Sequence, residues 1–283
     1  MMERMLRGIG DFVVLSSVGL IVLLMFLPFQ ASATTAEEVM KKSQAAFLYP
    51  GHDFKARVVM KLITKDGKER IRELTMLRKN YGEIGGDQKY FMYFFQPADV
   101  RDMTFMVYKY PARDDDRWLF VPAIDLVRRI ATSDARSSFV GSDFTYEDVS
   151  GRDIPADTHT LLREEKIGDR DCYVVESVPK EPIEYVKRIS WIDKGTFLPL
   201  KEEYYDVQKE LTRVFTADKI EEVAGTERKE RNAFPTATKR TMKNLKTGHR
   251  TEVTFTSVSY NIGLPDSIFT ERYLRKPPER WIK

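Results

Sequence analysis

The chain has 283 residues, a formal net charge of +3 and one cysteine, Cys172. A lone cysteine excludes an intrachain disulfide, so a buried core must hold the fold, and the chain is long enough to build one. Charge this close to balance makes no electrostatic case for nucleic acid.

The N-terminal stretch reads as a targeting segment. Arg4 and Arg7 precede residues 12–29, which carry no charge, and Ala31-Ser32-Ala33 has the small-x-small pattern of a signal-peptidase site. The expectation is a signal peptide over residues 1–33, cleavage after Ala33, and a single exported domain over residues 34–283 in the periplasm. The alternative is an uncleaved inner-membrane anchor, because about 18 to 20 apolar residues span a bilayer. No cysteine lies near Ala33, so the mature N-terminus cannot be acylated like that of a bacterial lipoprotein.

Thr35 and Glu38 have capping-box spacing and predict a helix, with Val39, Ala46 and Phe47 on one face and Tyr49-Pro50-Gly51 as its stop. Such a helix either packs over the mouth of a sheet as a lid or simply covers a sheet face. Phe54, Ala56, Val58, Met60 and Leu62 alternate with Lys55, Arg57 and Lys61, which predicts a strand with one dry side. Asp66-Gly67 turns it into a less regular return strand, residues 69–78. Tyr90–Phe95 is an unbroken apolar run ended by Pro97. Further strands are expected at residues 103–110, 118–121, 158–165, 170–178, 185–192, 198–206, 210–217, 239–245 and 250–260, with a short helical turn at 265–269. Strands at this spacing joined by short turns predict an antiparallel meander. The basic, proline-containing tail, residues 275–283, is expected to be loosely held.

Residues 117–153 are both aromatic and charged. Trp118-Leu119-Phe120-Val121-Pro122 is followed by Arg128-Arg129-Ile130 and then by Ser138-Phe139-Val140-Gly141-Ser142-Asp143-Phe144-Thr145-Tyr146-Glu147-Asp148. This pattern resembles the signature of the outer membrane lipoprotein-sorting proteins, whose fold is similar to that of the lipoprotein carrier LolA. The motif positions are Trp118, Pro122, Arg129, Phe139, Gly141, Ser142, Asp143, Phe144, Tyr146, Glu147 and Asp148. The resemblance runs from about Ala36 to the C-terminus. It implies a mainly β protein: a curved antiparallel sheet, or half-open β-barrel, whose apolar concave face is covered by a few α-helices. It further implies a carrier of a lipid or of a lipoprotein acyl chain between inner and outer membrane, with an inner-membrane RND-type exporter and an outer-membrane acceptor as partners. The second implied role is an RseB-like sensor of lipoproteins or envelope lipids.

Enzyme signatures are scarce. His52, His159 and His249 lack metal-ligand spacing, and Gly141-Ser142-Asp143 is not a nucleophile elbow, so Ser142 reads as a turn residue. Asp114-Asp115-Asp116 lacks the spaced oxygens of a calcium loop, and Cys172 sits in an apolar strand as an inert thiol. No cofactor, metal or catalytic residue is expected. In the motif, Asp143 is expected to cap a helical turn through Tyr146, with Phe144 and Tyr146 as anchors. Arg113, Arg117, Arg128, Arg129 and Arg136 either meet a lipid head group or pair with Asp114, Asp116, Asp125, Asp134, Glu147 and Asp148.

Aromatics and methionines are abundant on the strands. Phe54, Val58, Met60, Met76, Phe91, Tyr93, Phe105, Val107, Trp118 and Phe120 are the candidate lipid-contacting set. An acyl chain is flexible and featureless, so its walls need area rather than hydrogen bonds, and burial gains about 0.8 kcal/mol per methylene. From the residues alone the same set equally describes a filled sandwich core. The resemblance favours an open concave face.

Overall fold

The computed structural model describes residues 34–111, 113–226 and 233–283, and Thr34–Lys283 form one compact unit. The expected targeting segment and cleavage site, residues 1–33, lie outside the described residues. Among those described, no helix is long and apolar enough to cross a membrane.

Helix α1 (Ala36–Leu48) starts where the capping box places it. The Thr35 hydroxyl accepts from the Glu38 amide at 3.2 Å, and the Glu38 carboxylate accepts from the Thr35 amide at 3.0 Å. Ala36, Val39 and Met40 pack on Ile154, Val175 and Ile192.

Among the described residues, thirteen strands follow in one sheet. They are β1 (Asp53–Ile63), β2 (Glu69–Asn80), β3 (Gln88–Gln96), β4 (Thr104–Lys109), β5 (Asp116–Val121) and β6 (Leu126–Ile130). After a long connector come β7 (Asp157–Ile167), β8 (Arg170–Pro179), β9 (Lys187–Asp193), β10 (Pro199–Tyr205), β11 (Leu211–Ala224), β12 (Ala233–Asn244) and β13 (Arg250–Tyr260). The order across the sheet is β6-β5-β4-β3-β2-β1-β13-β12-β11-β10-β9-β8-β7. Two antiparallel meanders are therefore joined where the last strand pairs with the first, through Phe54↔Tyr260, Val58↔Phe255 and Met60↔Val253. The sheet is curved and unclosed, as the resemblance implied.

The basic stretch around Arg128 and Arg129, not anticipated as regular structure, is strand β6. It forms one edge of the sheet, and the exposed arginines suit an edge that must not pair further.

Side-chain parity divides the candidate set. Across β1, β2 and β3 the register aligns Phe54 with Arg78 and Tyr90, Ala56 with Met76 and Met92, and Val58 with Leu74 and Phe94, all on the concave face. Phe91, Tyr93, Trp118 and Phe120 point the other way: Phe91 pairs with Leu77 and Met106, Tyr93 with Thr75 and Thr104, Trp118 with Met106, and Phe120 with Thr104. The expectation that these four face the same side as Phe54 and Met60 is therefore corrected. An apolar run buried on both faces carries no alternation to reveal which side is which.

What covers the convex face corrects a second expectation. Residues 264–282, including α3 (Arg272–Arg275) and α4 (Glu279–Ile282), lay Leu264, Phe269, Leu274 and Ile282 over Leu77, Phe91, Met106 and Phe120. The Thr75 hydroxyl donates to the Ile282 carbonyl at 2.6 Å, and the Thr104 hydroxyl to the Leu274 carbonyl at 2.7 Å. The tail is basic only on its outer side and is docked, not loose.

Candidate functional site

The concave face is not filled. A cavity of about 220 Å³ lies between the sheet and a roof made of α1 and the connector before β7. Its floor includes Phe54, Val58 and Met60 from β1, Met76 from β2, Met92 from β3 and Phe255 from β13. From the roof come Met40, Phe47 and Leu48 of α1 together with Phe144 and Val149. An engineered apolar void of about 150 Å³ already admits a benzene-sized guest. The present cavity is larger, and its methionines adapt to irregular guests.

Of the candidate set, Phe54, Val58, Met60 and Met76 line the void. Phe105 and Val107 share the concave face but lie outside the cavity wall. Phe105 is covered by Phe139 and Tyr146, each with its ring centroid 5.2 Å away. Phe91, Tyr93, Trp118 and Phe120, on the convex face, take no part in it.

The motif builds the roof. Phe139 and Tyr146 plug one end of the sheet, with ring centroids 5.5 Å apart. Gly141 has φ +76°, a conformation that suits glycine. The Ser142 hydroxyl donates to the Phe139 carbonyl at 2.7 Å, the turn role its sequence context suggests. Asp143 does not cap the helix as expected. Its backbone amide donates to the Thr251 hydroxyl at 2.9 Å, and that hydroxyl donates to the Asp143 carboxylate at 2.8 Å. The cap of α2 (Tyr146–Ser150) is Thr145, in a second capping box with Asp148. Phe144 reaches the cavity wall, Glu147 and Asp148 enter ion pairs at its rim, and Trp118, Pro122 and Arg129 lie away from it.

The crowded arginines pair with carboxylates. Arg113 meets Asp116 at 3.0 Å, Arg117 meets Asp115 at 2.6 Å, Arg128 meets Asp134 at 3.4 Å, Arg129 meets Asp116, and Arg136 meets Glu184 at 2.5 Å and Glu147 at 3.5 Å. The rim continues through Arg152 with Glu147 at 3.3 Å and Arg188 with Glu202 at 3.7 Å. Burial is the largest single influence on Arg213 and works against its charge, but Asp148 beside it, together with Tyr204 and Tyr185, outweighs that and pushes the guanidinium above its usual range.

Sequence reasoning missed Arg78 and Arg240. Both line the cavity, and neither forms an ion pair among the described residues. Arg78 is 5% exposed, donates to the Pro50 carbonyl and lies 5.3 Å from the Phe54 ring centroid. Arg240 sits 4.3 Å from the Phe47 centroid and 4.4 Å from that of Phe255. Burial lowers the Arg240 guanidinium to about 10, and the neighbouring Arg78 charge adds to that effect. The available signal was parity: Arg78 stands two residues from Met76 on a strand whose inward positions alternate.

A family profile described as uncharacterized protein matches residues 86–276. The chain belongs to that family, and its fold is LolA-like. A DUF1329 family protein from Desulfovibrio piger is 27% identical, with a TM-score of 0.75 over 85% of this chain and 100% of its own. A domain described as outer membrane lipoprotein-sorting, from Vibrio parahaemolyticus, is 27% identical, with a TM-score of 0.76 over 85% of this chain and 98% of its own. A LolA superfamily protein from Nitrosomonas europaea, 23% identical, shares the fold with a TM-score of 0.63 over 85% of this chain and 100% of its own. No curated protein matches the chain.

Proposed function

We propose that this LolA-like protein is a periplasmic, non-enzymatic carrier. It takes one acyl chain, of a lipid or of a lipoprotein, into the concave cavity and moves it from the inner to the outer membrane. Residues 1–33 serve as the signal peptide and residues 34–283 as the carrier domain. An inner-membrane RND-type exporter hands over the cargo, and an outer-membrane acceptor that binds the chain better removes it.

One observation carries this reading: a void of about 220 Å³, with an apolar floor and a charged rim, between methionine-rich strands and a helical roof. A closed core would gain contacts by collapsing it, because lining atoms that face a void lose their dispersion partners. A guest restores them, at about 0.8 kcal/mol per methylene buried. Shallow, adaptable walls suit transfer, which needs release as much as capture. The likeness to a domain described as lipoprotein-sorting supports the same reading.

The test is titration of the delipidated protein with cis-parinaric acid, a fluorescent acyl probe. The expected result is saturable one-to-one binding, abolished in Val58→Trp with the β circular-dichroism signal retained. Fluorescence that rises without saturation overturns the carrier reading.

A further inference from the structure

The cavity wall holds more positive than negative charge once its ion pairs are counted. Glu147 is held by Arg136 and Arg152, Asp148 by Arg213, Glu184 by Arg136 and Glu202 by Arg188. Arg78 and Arg240 have no carboxylate partner among the described residues. Among the described residues, Arg240 donates only through its Nε, to the Ala237 carbonyl at 2.9 Å, and its two Nη groups have no protein acceptor there. The Arg78 Nε is buried without a partner among the described residues. The nearby hydroxyls are already engaged: Tyr90 donates to Gln88 at 2.8 Å, and Tyr260 is 2.9 Å from the Thr236 hydroxyl.

Two cations stand at the ends of one aromatic pair. The rings of Phe54 and Phe255 lie 6.3 Å apart, with Arg78 over the first and Arg240 over the second. Arg78 is buried and Arg240 half-buried; ring faces soften the cost of a partly desolvated guanidinium but do not cancel it, and charges turned into the cavity call for an anion. A purely apolar guest would leave both charges unanswered. A guest with a carboxylate or phosphate beside its chain answers them, since a guanidinium presents its donors in the fork that those groups accept.

We propose that the cavity selects an anionic amphiphile, with its carboxylate or phosphate against Arg240 and Arg78 and its chain over Val58, Met60, Met76 and Met92. This rests on the carrier reading and names the class of guest. It separates two cargo types: an acyl chain ending in an ionised head group, and one attached through uncharged esters and amides.

The test is calorimetric titration of the delipidated full-length mature chain with three probes of equal chain length: palmitate, palmitoyl lysophosphatidate and monopalmitoylglycerol. The expected result is that at least one anion binds about tenfold or more tightly than the neutral glyceride, the scale of one charge-assisted hydrogen bond. Whichever anion binds better identifies the head group as carboxylate or phosphate. In Arg240→Gln, whose fold is checked by thermal melting, the anion and glyceride affinities converge, and Arg240→Lys restores part of the difference. Equal affinities of wild type for all three probes overturn the head-group inference and leave the carrier reading standing. Binding of none of the three overturns both.

Discussion

Asp143 and Thr251 exchange two hydrogen bonds, amide to hydroxyl at 2.9 Å and hydroxyl to carboxylate at 2.8 Å, across 108 positions of chain. This exchange fastens the motif to β13, a strand at the middle of the sheet. Thr251 is fully buried, so Thr251→Val leaves an amide and a carboxylate without partners. The expected loss is about 1–3 kcal/mol of unfolding free energy, read by chemical denaturation.

The same contact predicts a pH signature. Burial raises the Asp143 carboxyl above its ordinary value, outweighing the lowering effect of the Thr251 hydrogen bond. A carboxyl raised in the folded state binds more protons folded than unfolded. Its contribution is present below the unfolded pKa of about 3.9 and is lost as pH rises through the folded value. Asp143→Asn keeps an acceptor for Thr251 and removes that loss. Melting temperatures should therefore show the variant gaining on wild type as pH rises from about 3 to 7; a difference that does not change with pH contradicts this.

Gly151 ends α2 at φ +81°, and a β-carbon there would stand 2.2 Å from the Leu48 side chain of α1. Gly151→Ala must adopt an extended backbone at positive φ that essentially only glycine takes, at about 1–3 kcal/mol, and displace Leu48, which lines the cavity. The expected outcome is lower stability together with a changed affinity for an acyl probe. Denaturation and probe titration on one preparation check both.

Leu274 is fully buried on the convex face, and its carbonyl accepts from Thr104. Leu274→Ala is expected to cost about 2–5 kcal/mol, the range for truncating a buried leucine. Acyl-probe affinity, measured where the variant is still folded, should be unchanged, because the tail lies across the sheet from the cavity.

Much of this architecture was legible in the chain because local rules governed it. Thr35 with Glu38 placed α1, and the alternation from Phe54 to Leu62 placed β1 and its dry side. The motif pointed to the LolA-like fold. Which side of the sheet Phe91 and Trp118 face was not legible, because both faces of β3 to β5 are buried and alternation vanishes there. The tail misled for a related reason: Arg272, Arg275, Lys276 and Arg280 dominate its composition, while Leu274 and Ile282 decide its placement. Arg78 and Arg240 escaped notice because an arginine on a strand reads as solvent-facing until register fixes its side.

The central claim is that a single acyl chain occupies the concave void. It is tested most directly by labelling the methionine methyl groups with carbon-13 and adding a chain-end spin-labelled stearate to the delipidated protein. Met60, Met76 and Met92 lie on the concave face, whereas Met106 is sealed on the convex side against the C-terminal segment. The predicted result is saturable, one-to-one broadening of the three concave methyl resonances with Met106 left sharp. Broadening of Met106 ahead of them, or none at all, would contradict the account.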